Sequence, residues 1–134
     1  MKLQTLLLLS LPLAFASCGS SEEPAGTDST VATPSSQAPL DLAAGAKFYA
    51  ETCTPCHGAT GHGDGAASAS LVPKPRNLTD SAWQASIDDE YLRKIIQYGG
   101  AAVGKGATMP ANPVLGSNPD LLNNLVGHIR SMAE

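Results

Sequence analysis

Apolar residues fall into three regimes along the chain. Residues 3–13 are dominated by Leu and broken by Pro12; residues 19–39 hold one large apolar residue, Val31; from residue 40 onward apolar positions recur at helical spacing between Gly- and Pro-rich stretches. In the third regime, Asp41 is placed to cap a helix in which Leu42, Ala46, Tyr49 and Ala50 share a face, running to about Thr52. A second helix is predicted from Asp88 to Tyr98. It opens on acids that suit a helix N-terminus, buries Leu92, Ile95 and Ile96, and stops at Gly99-Gly100. The last begins at Asn118 with Pro119 in its first turn. It places Leu122, Leu125, Val126 and Ile129 on one face and continues toward Met132. Residues 58–80 and 101–117 read as loops, and no alternating apolar run suggests a strand. The fold class is all-α with three main helices and long loops, and such loops in a small domain call for a functional reason.

The first two regimes lie outside that domain. Lys2, the Leu-rich run and the small residues Ala16-Ser17 have the layout of a secretory signal over residues 1–17, too short for a convincing membrane span. Cys18 directly after them resembles the cleavage point of a bacterial lipoprotein signal, although Phe15 stands where that family usually carries Leu. The resemblance implies that Cys18 becomes the lipidated first mature residue; the alternative is an ordinary cleaved signal with an incidental Cys. Two or three acyl chains anchor stably where one is marginal. Gly19 in place of the Asp that retains such proteins at the inner membrane implies a periplasm-facing domain on the outer membrane. Residues 18–39, rich in Ser, Thr, Pro, Gly and Ala, cannot bury enough surface to offset their ordering entropy and read as a disordered tether. Such a chain spans roughly 25 Å on average. The domain proper is then residues 40–134.

Composition sharpens the picture of that domain. Of its 41 apolar residues 15 are Ala, which leaves 26 larger side chains for 95 positions, a thin core. The net charge of -4 provides no basic footprint, which argues against nucleic-acid binding. The three cysteines are an odd number, which argues against a simple disulfide framework.

Cys53-Thr54-Pro55-Cys56-His57 is where the chemistry concentrates. Two thiols three positions apart can add across the two vinyl groups of one haem, and the adjacent His reaches the iron; C-x-x-C-H is the attachment pattern of c-type haem. Three other readings stay open on the residues alone. A redox dithiol would want a βαβ context. A zinc site would need further ligands, with only His62 nearby. A plain disulfide would leave His57 and the loops unexplained.

From Gly45 to the C-terminus the chain resembles a class I, monohaem c-type cytochrome. That family carries a Gly eight residues before the first haem Cys and an aromatic four before it, here Gly45 and Tyr49, at the crossing of the first and last helices. A mid-helix Gly costs about 1 kcal/mol relative to Ala, so close packing there is expected. The resemblance implies a cytochrome c-like fold around one covalently attached haem c, with Cys53 and Cys56 as thioether anchors and His57 as proximal iron ligand. The distal ligand in the family is a Met followed by Pro in a Gly-containing loop, which implies Met109 of Lys105-Gly106-Ala107-Thr108-Met109-Pro110. Among rivals, His62 follows His57 too closely to reach the other haem face, His128 lies between core positions on the last helix and is expected exposed, and Met132 is a helix-end residue. The family holds its proximal His through a Pro carbonyl, which implies Pro75, with Pro73 second. Leu78 is then expected against the haem, with Arg76, Asn77 and Trp83 as partners of the propionates.

The function implied is electron transfer between donor and acceptor redox proteins by a tethered monomer with no substrate of its own. Ala101, Ala102, Val103 and Ala107 are expected to form a weak apolar docking patch. Two other classes are an electron-entry subunit of a larger redox complex, and a haem enzyme or gas sensor whose sixth iron position opens.

Overall fold

Helix α1 (Leu42–Phe48) starts where the Asp41 carboxylate accepts the Ala44 N–H at 3.0 Å, satisfying one of the donors that a helix start leaves open. This computed structural model describes residues 39–134. The signal segment 1–17, Cys18 and the tether through residue 38 lie outside the described residues.

The first helix runs further than its apolar spacing predicts. α1 passes without a break into one π-helical turn, Tyr49–Cys53, and then into α2 (Thr54–His57). Pro55 explains the wide turn. It lacks an N–H, and its ring crowds the carbonyl four residues back, so a regular α-turn cannot pass through it. Insertion of a wider turn keeps the helix continuous, with the Thr54 N–H donating five residues back to Tyr49. The helix ends at Gly58, whose N–H bonds Thr54.

The loops hold more structure than their composition suggests. Residues 58–80 contain a 3-10 turn, Ala66–Ser70, and are followed by a short helix α3 (Ser81–Ala85), capped by Asp80 on the Trp83 N–H. Helix α4 (Asp89–Tyr98) starts at its predicted cap, Asp88 accepting from the Tyr91 N–H at 2.7 Å, and stops at Gly99. Residues 100–117 include 3-10 turns at Gly100–Val103 and Pro113–Ser117. Helix α5 (Pro119–Arg130) is capped by Asn118 and ends before Met132, which packs on the core from the turn beyond. Among the described residues there is no strand, and no helix is long and apolar enough to cross a membrane.

The crossing of α1 and α5 is the most extensive contact between elements. A Cβ on Gly45 would stand 2.6 Å from the Asn124 carbonyl carbon and 2.9 Å from the Leu125 nitrogen, so only Gly permits this approach. Tyr49 enters the same crossing almost wholly buried, and its hydroxyl donates to the Gly58 carbonyl at 2.8 Å. The predicted face of α5, Leu122, Leu125, Val126 and Ile129, is buried as a unit, together with Leu92 and Ile96 of α4. Leu115, placed in a loop by its sequence context, is fully buried. His128 is half-buried and not exposed as expected, because its ring packs edge-on against Tyr49 with centroids 5.3 Å apart.

Candidate functional site

One cavity of about 410 Å³ opens between the end of the first helix, the 71–76 segment, α4 and the 100–112 loop. Its size is that of a cofactor site. Cys53, Cys56 and His57 all line it. The continuous helix is the reason: residues three and four apart share one helix face, so the motif presents its two sulfurs and its imidazole together.

The electrostatics of these groups separate the open readings. Burial pushes the Cys53 thiol up to about 11, with the neighbouring Cys56 adding to the shift. A reactive redox dithiol needs the opposite, a depressed thiol. The two thiols are not joined in a disulfide. Among the described residues no three His, Cys, Asp or Glu side chains gather as a metal site, so zinc has no ligand set. Burial also pulls the His57 pKa down, partly countered by its hydrogen bond to the Arg76 carbonyl. The neutral ring is the form with a lone pair to give to a metal.

His57 is held by the backbone, one residue beyond where it was expected. Its Nδ1 lies 3.0 Å from the carbonyl oxygen of Arg76, not that of Pro75 or Pro73. The Pro75 carbonyl is turned toward Gly63 instead, where a Cβ would come within 2.5 Å of it. Gly63 also has a φ of 79° and donates its N–H to the His57 carbonyl at 2.8 Å. The loop thus folds back on the helix end through a residue that must be Gly. An Nδ1–H donated to Arg76 leaves Nε2 as the nitrogen with a free lone pair.

Met109 is half-buried and lines the same cavity. Its loop is pinned to the end of α4. The Gly100 N–H donates to the Met109 carbonyl at 3.0 Å, and Asn112 donates to Gln97 through its backbone and to Ile96 through its side chain at 2.9 Å. Asn112 therefore satisfies carbonyls that the helix end leaves unpaired, a role with no signature in the sequence beyond an Asn before a Pro.

The remaining predicted residues divide. Pro75, Arg76 and Trp83 line the cavity. The Arg76 guanidinium pairs with Asp80 and lies over the Trp83 ring at 4.8 Å from its centroid. Leu78 is buried and borders a smaller recess that shares His57 and Met109 with the main cavity. Asn77 is outside both: its side-chain oxygen accepts the Thr79 N–H at 2.9 Å and the Thr79 hydroxyl at 3.0 Å, a local turn that takes it away from the cavity. Lys74 and Lys105 are cavity-wall cations that sequence reasoning passed over. His62 is exposed and sits by Thr60, away from the site.

Paired thiols, a neutral imidazole and a thioether around an apolar-walled cavity are a donor set that fits haem. A family model for cytochrome c matches residues 42–133. The chain belongs to the cytochrome c family, its cofactor is covalently bound haem c at the Cys53/Cys56 motif, and its function is haem-based electron transfer. No curated protein matches the chain.

Proposed function

We propose that this cytochrome is a membrane-tethered carrier of single electrons in the cell envelope, with its iron held between His57 and Met109. The observation that carries the ligand assignment is that both side chains line the cavity that Cys53 and Cys56 also face. When bound, the haem supplies a one-electron Fe(III)/Fe(II) couple. The protein sets the conditions of that couple. Cys53 and Cys56 fix the haem by thioether bonds. His57 offers Nε2, with Nδ1–H engaged by the Arg76 carbonyl. Met109 would offer its thioether to the iron, a ligand that favours a high potential. Leu71, Pro73 and Ile95 line the same cavity and would give the haem apolar walls. Arg76, stacked on Trp83, and the cavity-wall lysines Lys74 and Lys105 supply positive charge for the propionates.

The chain would act as a class I monohaem cytochrome, a monomer passing electrons between donor and acceptor proteins. Ala101, Ala102 and Ala107 are exposed and Val103 is half-buried beside cavity-wall residues Gly100, Lys105 and Gly106, and the four would form its docking patch. Lipid on Cys18 would hold the domain at the outer membrane, facing the periplasm, through the 18–39 tether.

Carbon monoxide tests the ligand assignment. The ferrous holoprotein should bind it poorly and Met109→Ala should bind it readily, both followed in the visible spectrum. Rapid binding by the unmutated protein would overturn the carrier reading in favour of an open-site enzyme or sensor. For the tether, Cys18→Ser should move the protein from membranes to the soluble periplasmic fraction. Retention on membranes in that variant would point to a bound subunit of a larger complex.

A further inference from the structure

We propose that Gln84 is a positioning residue for the haem iron: its buried side-chain amide locks the segment 76–79 so that the Arg76 carbonyl stays on Nδ1 of His57. Gln84 is only 4% exposed, and nothing in its sequence setting, a five-residue helix between two loops, marks it. Its Nε2 donates to the Leu78 carbonyl at 2.6 Å and to the Ile129 carbonyl of α5 at 2.8 Å. Its Oε1 accepts from the Arg130 guanidinium at 3.3 Å. An amide donates only from nitrogen and accepts only at oxygen, so these three partners fix which way round it sits. Arg130 is itself held, donating to the Gln84 carbonyl at 2.6 Å and the Ile87 carbonyl at 2.9 Å and pairing with Asp89 at 2.8 Å.

The route to the iron is short. Leu78 lies two residues beyond Arg76, and its own N–H donates to the Gly61 carbonyl at 2.6 Å. The segment is therefore gripped from the Gly-rich loop on one side and, through Gln84, from α5 on the other. The Arg76 carbonyl at the start of that segment accepts the His57 Nδ1–H at 3.0 Å. A firm bond there makes the imidazole a better electron donor, which favours the ferric state and lowers the potential. Loss of the Gln84 donors leaves the buried Leu78 carbonyl without a hydrogen-bond partner and cuts its tie to α5, where the Ile129 carbonyl still accepts the Met132 N–H at 3.1 Å. The segment then relaxes, the His57 bond loosens, and the balance moves toward Fe(II).

This inference rests on His57 as iron ligand, the reading proposed above. The test uses the holoprotein with Gln84→Met, which keeps the length of the side chain and removes both donors. At a fixed electrode potential the ferrous-to-ferric ratio should rise by about threefold as the second-shell bond weakens. The His57 Nδ1 proton, followed by NMR of histidine-labelled ferrous protein, should exchange about tenfold faster as local opening becomes easier. Leu115→Ala is the control, a core deletion outside this hydrogen-bond chain that lowers thermal stability without either change. Gln84→Asn keeps an amide but is one methylene too short to reach both carbonyls, and should shift both readouts in the same direction. It provides the measurement if Gln84→Met does not yield folded holoprotein. Unchanged ratio and exchange in the Gln84 variants, a shift toward Fe(III), or an equal shift in Leu115→Ala would each overturn the proposal. Failure of the His57 reading is distinguishable, because the spectrum of the unmutated protein would then lack imidazole ligation.

Discussion

Two histidines in this domain are pulled toward neutrality by burial, with different consequences. His57 has the Arg76 carbonyl on Nδ1 and keeps its other nitrogen for iron. His128 has the Tyr49 ring beside it, and burial lowers its pKa from 6.5. Its folded value is below its unfolded one, so as pH falls below 6.5 the unfolded chain binds more protons and the folded state loses stability. That loss is complete only below the folded value. We expect His128→Gln to reduce it: between about pH 7 and about pH 5 the urea midpoint of the holoprotein should fall less in the variant than in the parent. Equal falls would assign the acid sensitivity to other groups. Residue chemistry was legible in the sequence where it is local. Cys53, Cys56 and His57 sit in one helical turn, so spacing alone brings them to one face. The carbonyl that holds His57 was missed by one residue, because the register of a loop backbone, set by Gly63 against Pro75, decides between Pro75 and Arg76. Gln84 could not have been found, since its partners come from a loop and from α5.

Elements were legible where a cap and an apolar stripe agree. The starts of α1, α4 and α5 fall at Asp41, Asp88 and Asn118 because each side chain accepts an N–H three residues on. The end of the first helix was not, because apolar spacing fades at Thr52 while the backbone continues through a π turn to His57. α3 and the 3-10 turns are too short to show a period. Gly45 carries a prediction at this scale. As a mid-helix Gly it should be improved by Ala by about 1 kcal/mol on propensity alone. Its Cβ would instead meet the backbone of Asn124 and Leu125, which cannot rotate away as a side chain could. The strain of such overpacking is about 1–3 kcal/mol. Gly45→Ala should therefore lower the denaturant midpoint of the holoprotein; a rise would mean that α1 and α5 can separate without cost.

At the scale of the whole domain, the thin core and the cavity are one feature. The nine most buried apolar side chains lie around the α1–α5 crossing and under α4, while Leu71, Pro73, Trp83, Ile95 and Met109 face the cavity. These walls are built to be covered. The cavity of about 410 Å³ opens to solvent, so without haem water would wet these apolar walls and their burial would not contribute to stability. The loops depend on the same filling. The 100–112 segment is tied to α4 by a few backbone bonds and the Asn112 side chain, and its inner side faces the cavity. The chain without haem should then be unable to hold its native helices together. Replacing Cys53 and Cys56 with Ala removes the covalent anchors while leaving the Gly45 crossing and the helix caps at Asp41, Asp80, Asp88 and Asn118 intact. The variant, purified without haem, should lose most of its helical circular dichroism at 25 °C and unfold without a cooperative thermal transition, whereas the holoprotein should melt cooperatively. A native-like spectrum and a sharp melt in the variant would mean that the α1–α5 crossing closes its core unaided and that haem adds redox chemistry without adding the fold.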